Sequence, residues 1–272
     1  MNIPLIGIAV AVALLVLVQV VASRQFAGKI AGLRQSAVAE QGPVAGVRSV
    51  PPEIMVGFAE RSGATVGGPS TMMARQNAEM RLAPDQPFFP LVATQLSGTR
   101  TPAFVWEATA TMAKVVPLHI VDSYTGGRGL LEVKIAGSIQ VAGGTGPDTD
   151  KGEMMRFLAE LAWNPEAILN ASGLSWRQID MLTVEVSAPT SAGVARVRLL
   201  FDAEGDIVAI EADDRPFLVG GKSVPTRWIG RFGDYASFGR YRLPRHGEVA
   251  WVLPAGEFLY WRGDVAAFEP MR

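Results

Sequence analysis

The 272-residue sequence predicts an α+β protein: an N-terminal transmembrane helix, then a mainly antiparallel, curved β-sheet domain with one helix packed on it. Three observations lead there. The first charged side chain is Arg24, so Met1–Ser23 is an uncharged stretch rich in Ile, Leu, Val and Ala. Most of the remainder breaks into short runs of Val, Ile, Thr and aromatics punctuated by Gly, Pro, Asn or Asp, the pattern of strands and turns. One segment, Asp150 to Asn164, carries a helical stripe instead.

At ~1.5 Å per residue, residues 1–23 make a helix of roughly 34 Å, enough for a hydrocarbon core of about 30 Å. A cleaved signal peptide is the rival reading, with Val20-Val21-Ala22 before Ser23 as its cleavage site. The start lacks a basic residue and the apolar run is long for a signal sequence, so the anchor is preferred. Without cysteine there is no thiol to acylate, and the redox compartment stays open. The expected location is a bacterial cell membrane, crossed once. Arg24, Lys29 and Arg34 after the span favour a cytoplasmic domain. Anchored β-rich domains are often extracytoplasmic, so the side is left open.

Beyond the span, Phe26, Ile30, Leu33 and Ala37 recur at helical spacing among the basic residues. Two readings stand: an interfacial helix with its cations at anionic headgroups, or the membrane helix continuing into water. Gln41–Val47 reads as a linker. The expected organisation is therefore an anchor at 1–23, a juxtamembrane helix and linker at 24–47, and a single β-rich domain at 48–272.

In that domain Pro51-Pro52 opens a short helix, Glu53–Arg61, stopped at Ser62-Gly63. Strands are expected at Phe88–Leu96, Phe104–Met112, Val115–Tyr124, Leu130–Val141, Leu182–Ser187, Val194–Asp202, Ile207–Ala212, Val249–Leu253 and Glu257–Phe268. Turns are expected at Asp202–Asp206 and Gly126–Gly129, and such short connections imply antiparallel neighbours. In the central helix Asp150 is the expected cap, with Glu153 in capping-box position. Met154, Phe157, Leu158 and Leu161 form the face that packs on the sheet, and Asn164-Pro165 ends the helix.

Chemistry is harder to find. His119 lies on a strand near Asp122, a candidate base beside an orienting carboxylate, although a strand histidine is more often structural. Glu153 and Glu160 flank Arg156 at helical spacing, either an acid pair held by a cation or an ordinary solvated ion-pair face. An enzyme would draw on His119, Asp122, Arg156 and Glu160. Two histidines without cysteine argue against zinc, and no metal or cofactor is expected. Gly143-Gly144-Thr145-Gly146 lacks the Lys-Ser/Thr of a phosphate loop, and no Gly-x-Ser-x-Gly elbow is present.

Charge is segregated along the chain. Six acidic residues lie between Asp202 and Asp214, and seven basic ones between Arg215 and Arg245 against Asp234 alone. The basic block, interleaved with aromatics, suits an anionic headgroup; alternatively the two blocks neutralise each other across strands. A net charge of −1 argues against nucleic acid.

Several segments taken together, Phe104–Ala108, Asp122–Gly129, Gly152–Glu160, Trp163-Asn-Pro165, Trp228-Ile-Gly230, Gly247–Trp251 and Tyr260–Gly263, resemble a family of uncharacterised bacterial membrane-anchored proteins, a domain of unknown function. The resemblance spans about residues 48–270 and brings no catalytic residues with it. At the level of architecture, a curved sheet closed by a helix on a tether looks like the half-barrel lipoprotein carriers. A cavity of that kind would draw on Trp106, Val133, Ile135, Leu199, Trp251 and Trp261, with Arg240 and Arg242 at the anionic head of a ligand. The expected function is a non-enzymatic, membrane-tethered binding domain for a hydrophobic or amphipathic ligand, a membrane lipid first among them. The alternatives are an enzyme on a cell-envelope substrate and a scaffold for another membrane protein.

Overall fold

The computed structural model describes residues 3–43, 49–112 and 116–271. Helix α1 (Ile3–Ala39) runs unbroken through the apolar stretch and beyond Arg24. Its portion Val12–Ala39 is long and apolar enough to cross a membrane. The stripe Phe26, Ile30, Leu33 and Ala37 does not face a bilayer: it lies on the outer face of the sheet, against Val121, Leu96, Ala103 and Val105. Lys29 reaches Glu132 at 2.9 Å and Arg34 reaches Glu107 at 2.9 Å. Of the expected linker 41–47, residues 44–47 lie outside the described residues.

After α2 (Glu53–Arg61) come β1 (Thr71–Met80), β2 (Phe89–Gly98), β3 (Phe104–Met112), β4 (Val116–Thr125), β5 (Arg128–Ile135) and β6 (Ile139–Thr145). Then α3 (Pro147–Ala159), a 3₁₀ turn (Glu160–Trp163) and α4 (Pro165–Asn170) cross to the second half. That half holds β7 (Ser175–Gln178), β8 (Thr183–Thr190), β9 (Gly193–Phe201), β10 (Ile207–Val219), β11 (Lys222–Phe238), β12 (Tyr241–Leu253) and β13 (Gly256–Pro270). All thirteen form one antiparallel sheet, ordered β6-β5-β4-β3-β2-β1-β13-β12-β11-β10-β9-β8-β7. Two meanders are thus stitched together where β1 pairs with β13.

The sheet curls into a half-barrel around α3, so the central helix lies inside a concave wall. Met154, Met155, Phe157, Leu158 and Ala159 are all buried, joining one core with Leu199, Ile210, Trp106 and Ile120. Side chains alternate across each strand: on β4, Leu118, Ile120 and Tyr124 join the inner core, while Val121 turns out to meet α1.

The thirteen strands exceed the nine or so expected, and the reasons are local. β1 reads Thr-Met-Met-Ala-Arg-Gln-Asn-Ala-Glu-Met, with a single β-branched residue, and its inward row is Ala74, Gln76 and Ala78. β11 is the basic block interrupted by Pro225, Gly230 and Gly233. The run 130–141 is two strands, broken where Ala136 and Gly137 take φ of 51° and 71°. Pro147, not Asp150, starts α3, and Gly146 precedes it without a side-chain cap. Instead of capping, the Asp150 carboxylate accepts from Gly129 N at 2.8 Å and from Ser191 Oγ at 2.5 Å, tying the helix to β5 and to the β8–β9 turn.

Candidate functional site

Between α3 and the concave wall the side chains leave a cavity of about 130 Å³. Most of its lining is apolar or aromatic, including Met80, Trp106, Ile120, Trp228, Phe232 and Trp261. Into it project Asp122, Arg156, Glu160 and Arg215. Leu131 and Arg215 also line an adjoining open groove of about 790 Å³, bounded by β5, β6, the start of α3 and the β10–β11 hairpin.

Helical spacing sets one half of the polar cluster. Arg156 Nε donates to Glu160 Oε1 at 2.8 Å one turn along, while Nη1 donates to Asp122 Oδ2 and Nη2 to Gln95 Oε1 at 3.3 Å. The guanidinium sits 5.0 Å from the ring centres of both Phe104 and Trp106. Gln95 returns a hydrogen bond to Glu160 Oε2 at 2.5 Å, and Gln76 accepts from Trp106 Nε1 at 2.8 Å. Burial alone would lower the Arg156 pKa, but Glu160, Asp122 and Glu153 outweigh it and raise it, so the cation is locked on. Of the two readings of Glu153, Arg156 and Glu160, the solvated face does not hold. A helix inside a half-barrel has walls on both sides, so its charged face is buried too.

The other half gathers around Arg215. Its guanidinium lies 4.2 Å from the Trp228 ring centre and 5.4 Å from that of Trp251. Nη1 donates to Tyr260 OH at 3.3 Å, and the Trp228 indole donates to the same oxygen at 3.1 Å. Its carboxylate neighbour is distant: Glu153 Oε1 stands 3.9 Å from Nη2. Burial, then the charge of Asp122, push the Glu153 carboxyl well above the usual carboxylate range against the opposing pull of Arg215 and Arg156. Burial and the neighbouring negative charge thus both oppose ionisation of Glu153. Arg215 Nε, Asp122 Oδ1 and Glu153 Oε2 are buried without a hydrogen-bond partner among the described residues. Arg215 is thus a buried cation whose nearest acid stands 3.9 Å off and is disfavoured from ionising.

The sequence candidates separate. Asp122, Arg156 and Glu160 come together. His119 does not join them: it is on the outer face of β4, in an open groove with His246 and Asp264, and cannot be oriented by Asp122 across the strand. Trp106 and Trp261 line the cavity, and Trp251 lines the groove. Val133, Ile135 and Leu199 pack into the core, with Leu199 fully buried. Arg240 and Arg242 line neither space. Arg240 binds Glu166 at 2.8 Å beside α4, and Arg242 forms a two-pronged pair with Asp206, both contacts 2.7 Å. The basic block is largely matched by carboxylates, as in Arg227–Glu211 and Arg231–Glu257, and Arg215 is its member that reaches the interior. Sequence pattern does not mark Gln76, Gln95 or Tyr260 as site residues, nor Glu153 as a buried acid, and it marks Arg215 and Trp228 only as members of the basic, aromatic-interleaved block; for Gln76 the inward row of β1, Ala74-x-Gln76-x-Ala78, is the available signal. Among the described residues no group of three His, Cys, Asp or Glu is placed to hold a metal.

The profile of DUF6544, a family of unknown function, matches residues 52–263. The chain belongs to that family. The DUF6544 region thus begins just before α2 and ends within β13, taking in every residue of the cavity. None of the curated proteins compared matches this chain. Among solved structures it is similar to a LolA-superfamily protein from Nitrosomonas europaea, at 12% identity and a TM-score of 0.44, over 79% of this chain and 93% of that one. It is also similar to a domain described as a putative outer membrane lipoprotein-sorting protein from Vibrio parahaemolyticus, at 10% identity and 0.40, over 79% and 91%. A DUF1329 family protein from Desulfovibrio piger matches at 9% identity and 0.42, over 82% and 94%.

Proposed function

We propose that this DUF6544 domain is a tethered binding module for an amphipathic molecule with an anionic head. The head meets Arg215, and the apolar part lies in the cavity and the groove beside it. The observation that carries this reading is Arg215 itself: a buried guanidinium against the rings of Trp228 and Trp251, whose nearest carboxyl, Glu153, stands 3.9 Å away and is pushed by burial towards its neutral form. A carboxylate or phosphate is the group that satisfies such a cation. The enclosed 130 Å³ takes a head or the tip of a chain; the groove, at about 790 Å³, is within the range of small-molecule sites and takes the rest. Helix α1 supplies the tether. The domain spans residues 48–272, with residues 24–43 fastened to its outer face by Phe26, Ile30 and Ala37.

Four tryptophans line the cavity, which makes the test direct. A long-chain fatty acid brominated along its chain should quench their emission saturably, and Arg215→Met should weaken that quenching at least tenfold in midpoint. Quenching that is unsaturable, or indifferent to Arg215, contradicts the reading.

A second reading has its own observation. Asp122 and Glu153 are neighbouring buried carboxyls, with the Glu153 pKa pushed well above the usual carboxylate range by burial and then by the charge of Asp122, an arrangement that serves general acid–base catalysis. On that reading the same groove admits a substrate, and a Glu153→Gln variant binds it without turning it over.

A further inference from the structure

We infer that the open rim of the half-barrel is seated on the bilayer that holds α1, with the edge strand β6 and the tip of the β10–β11 hairpin in the headgroup layer. The inference rests on the tether reading above and goes beyond it, because it fixes which face of the domain meets lipid.

The anchor is locked to the sheet at one level. Gln19 Nε2 and Ser23 Oγ both donate to the Ala136 carbonyl, at 2.6 and 2.9 Å, and Ser138 Oγ donates to Gln19 Oε1. These contacts hold the β5–β6 turn where the exposed apolar stretch of α1 ends and Arg24, the first charge, begins. With α1 across a bilayer, that turn is at the membrane surface.

Exposed apolar side chains collect on this side. On β6, the outermost strand, Ile139 and Val141 are 61% and 52% exposed. At the tip of the β10–β11 hairpin, Leu218 and Val219 are 66% and 53% exposed, with the exposed Val224 on the returning strand. The groove brings Lys29 of α1 and Gln140 and Gly143 of β6 together with Leu218, Gly221 and Ser223, which puts tip, edge and anchor on one side. The hairpin also outruns its neighbours: β9 pairs with β10 only to Glu211, and β12 meets β11 only from Trp228. A two-stranded ribbon showing Leu218, Val219 and Val224 to water is a poor arrangement, and one showing them to acyl chains is a good one. Exposed Lys222 at the tip and Arg24 on α1 suit anionic headgroups. So placed, the groove opens onto lipid, and an amphipathic molecule reaches Arg215 without crossing water.

The absence of native cysteine makes the test clean. Single-cysteine variants of the full chain carry an environment-sensitive fluorophore and are reconstituted into phosphatidylethanolamine–phosphatidylglycerol vesicles containing doxyl-labelled acyl chains. Leu15→Cys reports on α1; Val141→Cys and Leu218→Cys report on the rim. Thr101→Cys is the control, because the Thr101 carbonyl binds Gln41, ~27 Å along α1 from Ser23. Every variant is required to keep the wild-type thermal transition. The inference expects quenching at Leu15, Val141 and Leu218 and none at Thr101. Quenching at Leu15 with rim labels that behave like Thr101 overturns the inference and leaves the tether standing. No quenching at Leu15 overturns the tether, and the inference with it.

Discussion

The Arg156 guanidinium lies 5.0 Å from the ring centres of both Phe104 and Trp106, while its nitrogens bond Glu160 and Asp122. One cation thereby neutralises two carboxylates inside the half-barrel, each about 15% exposed or less.

Removing it strands both acids. Arg156→Met should cost about 3–5 kcal/mol, the usual result of leaving a buried charge without its partner. Neutralising all three positions together, as Asp122→Asn, Arg156→Met and Glu160→Gln, should recover most of that loss. Urea denaturation of the two variants checks both figures. A single variant within ~0.5 kcal/mol of wild type would show that the cluster is solvated.

Glu153 makes stability depend on pH in a defined direction. Its folded pKa lies above its unfolded value near 4.5, so its contribution is fully present below that value and is lost as pH rises through the folded pKa. Glu153→Gln imitates the protonated acid and cannot ionise. Thermal midpoints of wild type should fall from acid pH towards neutral and alkaline pH more steeply than those of the variant. Parallel curves would mean that folding does not raise the Glu153 pKa.

Gly129 is a packing requirement of the seam between β5 and α3. A Cβ there would stand 2.5 Å from the Thr149 carbonyl oxygen and 2.7 Å from its carbon, both backbone atoms that cannot rotate away. Gly129→Ala should destabilise by roughly 1–3 kcal/mol and weaken the Gly129–Asp150 hydrogen bond, 2.8 Å in the native fold. Amide exchange at residues 147–152 should accelerate, and unchanged protection there contradicts the account.

Filling the cavity separates binding from folding. Ala159 lines it from α3, and Ala159→Leu should occupy part of the 130 Å³. The expected result is an unchanged or higher thermal midpoint with loss of quenching by the brominated acid. A variant that binds as well as wild type would place the ligand elsewhere.

Much of the fold is written in local pattern. β3 and α2 begin and end where their sequences say, because Phe104–Met112 alternates and Pro52 and Ser62 bracket a short apolar helix. β1 and β11 are not legible in that way, since each is a strand by virtue of its neighbours: Gln76 and Ala78 are inward only because β2 and β13 flank them. The site is half legible. Spacing names Asp122, Arg156 and Glu160 but not their depth, because charges at i and i+4 look the same on a solvated helix and on one enclosed by a sheet. Arg215 stands out from no neighbour in the basic block; what distinguishes it is its contact with the rings of both Trp228 and Trp251, brought together from separate strands.

The claim that the cavity and groove hold an amphipathic ligand is tested most directly by native mass spectrometry with solvent extraction. A fragment starting at Ser23 keeps Phe26, Ile30 and Ala37 on the outer face of the sheet while dropping most of the apolar span. Purified without detergent, then offered anionic phospholipid vesicles, it should carry one stoichiometric lipid, which Arg215→Met and Ala159→Leu lose. A bare protein mass before and after the vesicles, with the fragment folded, would contradict the account.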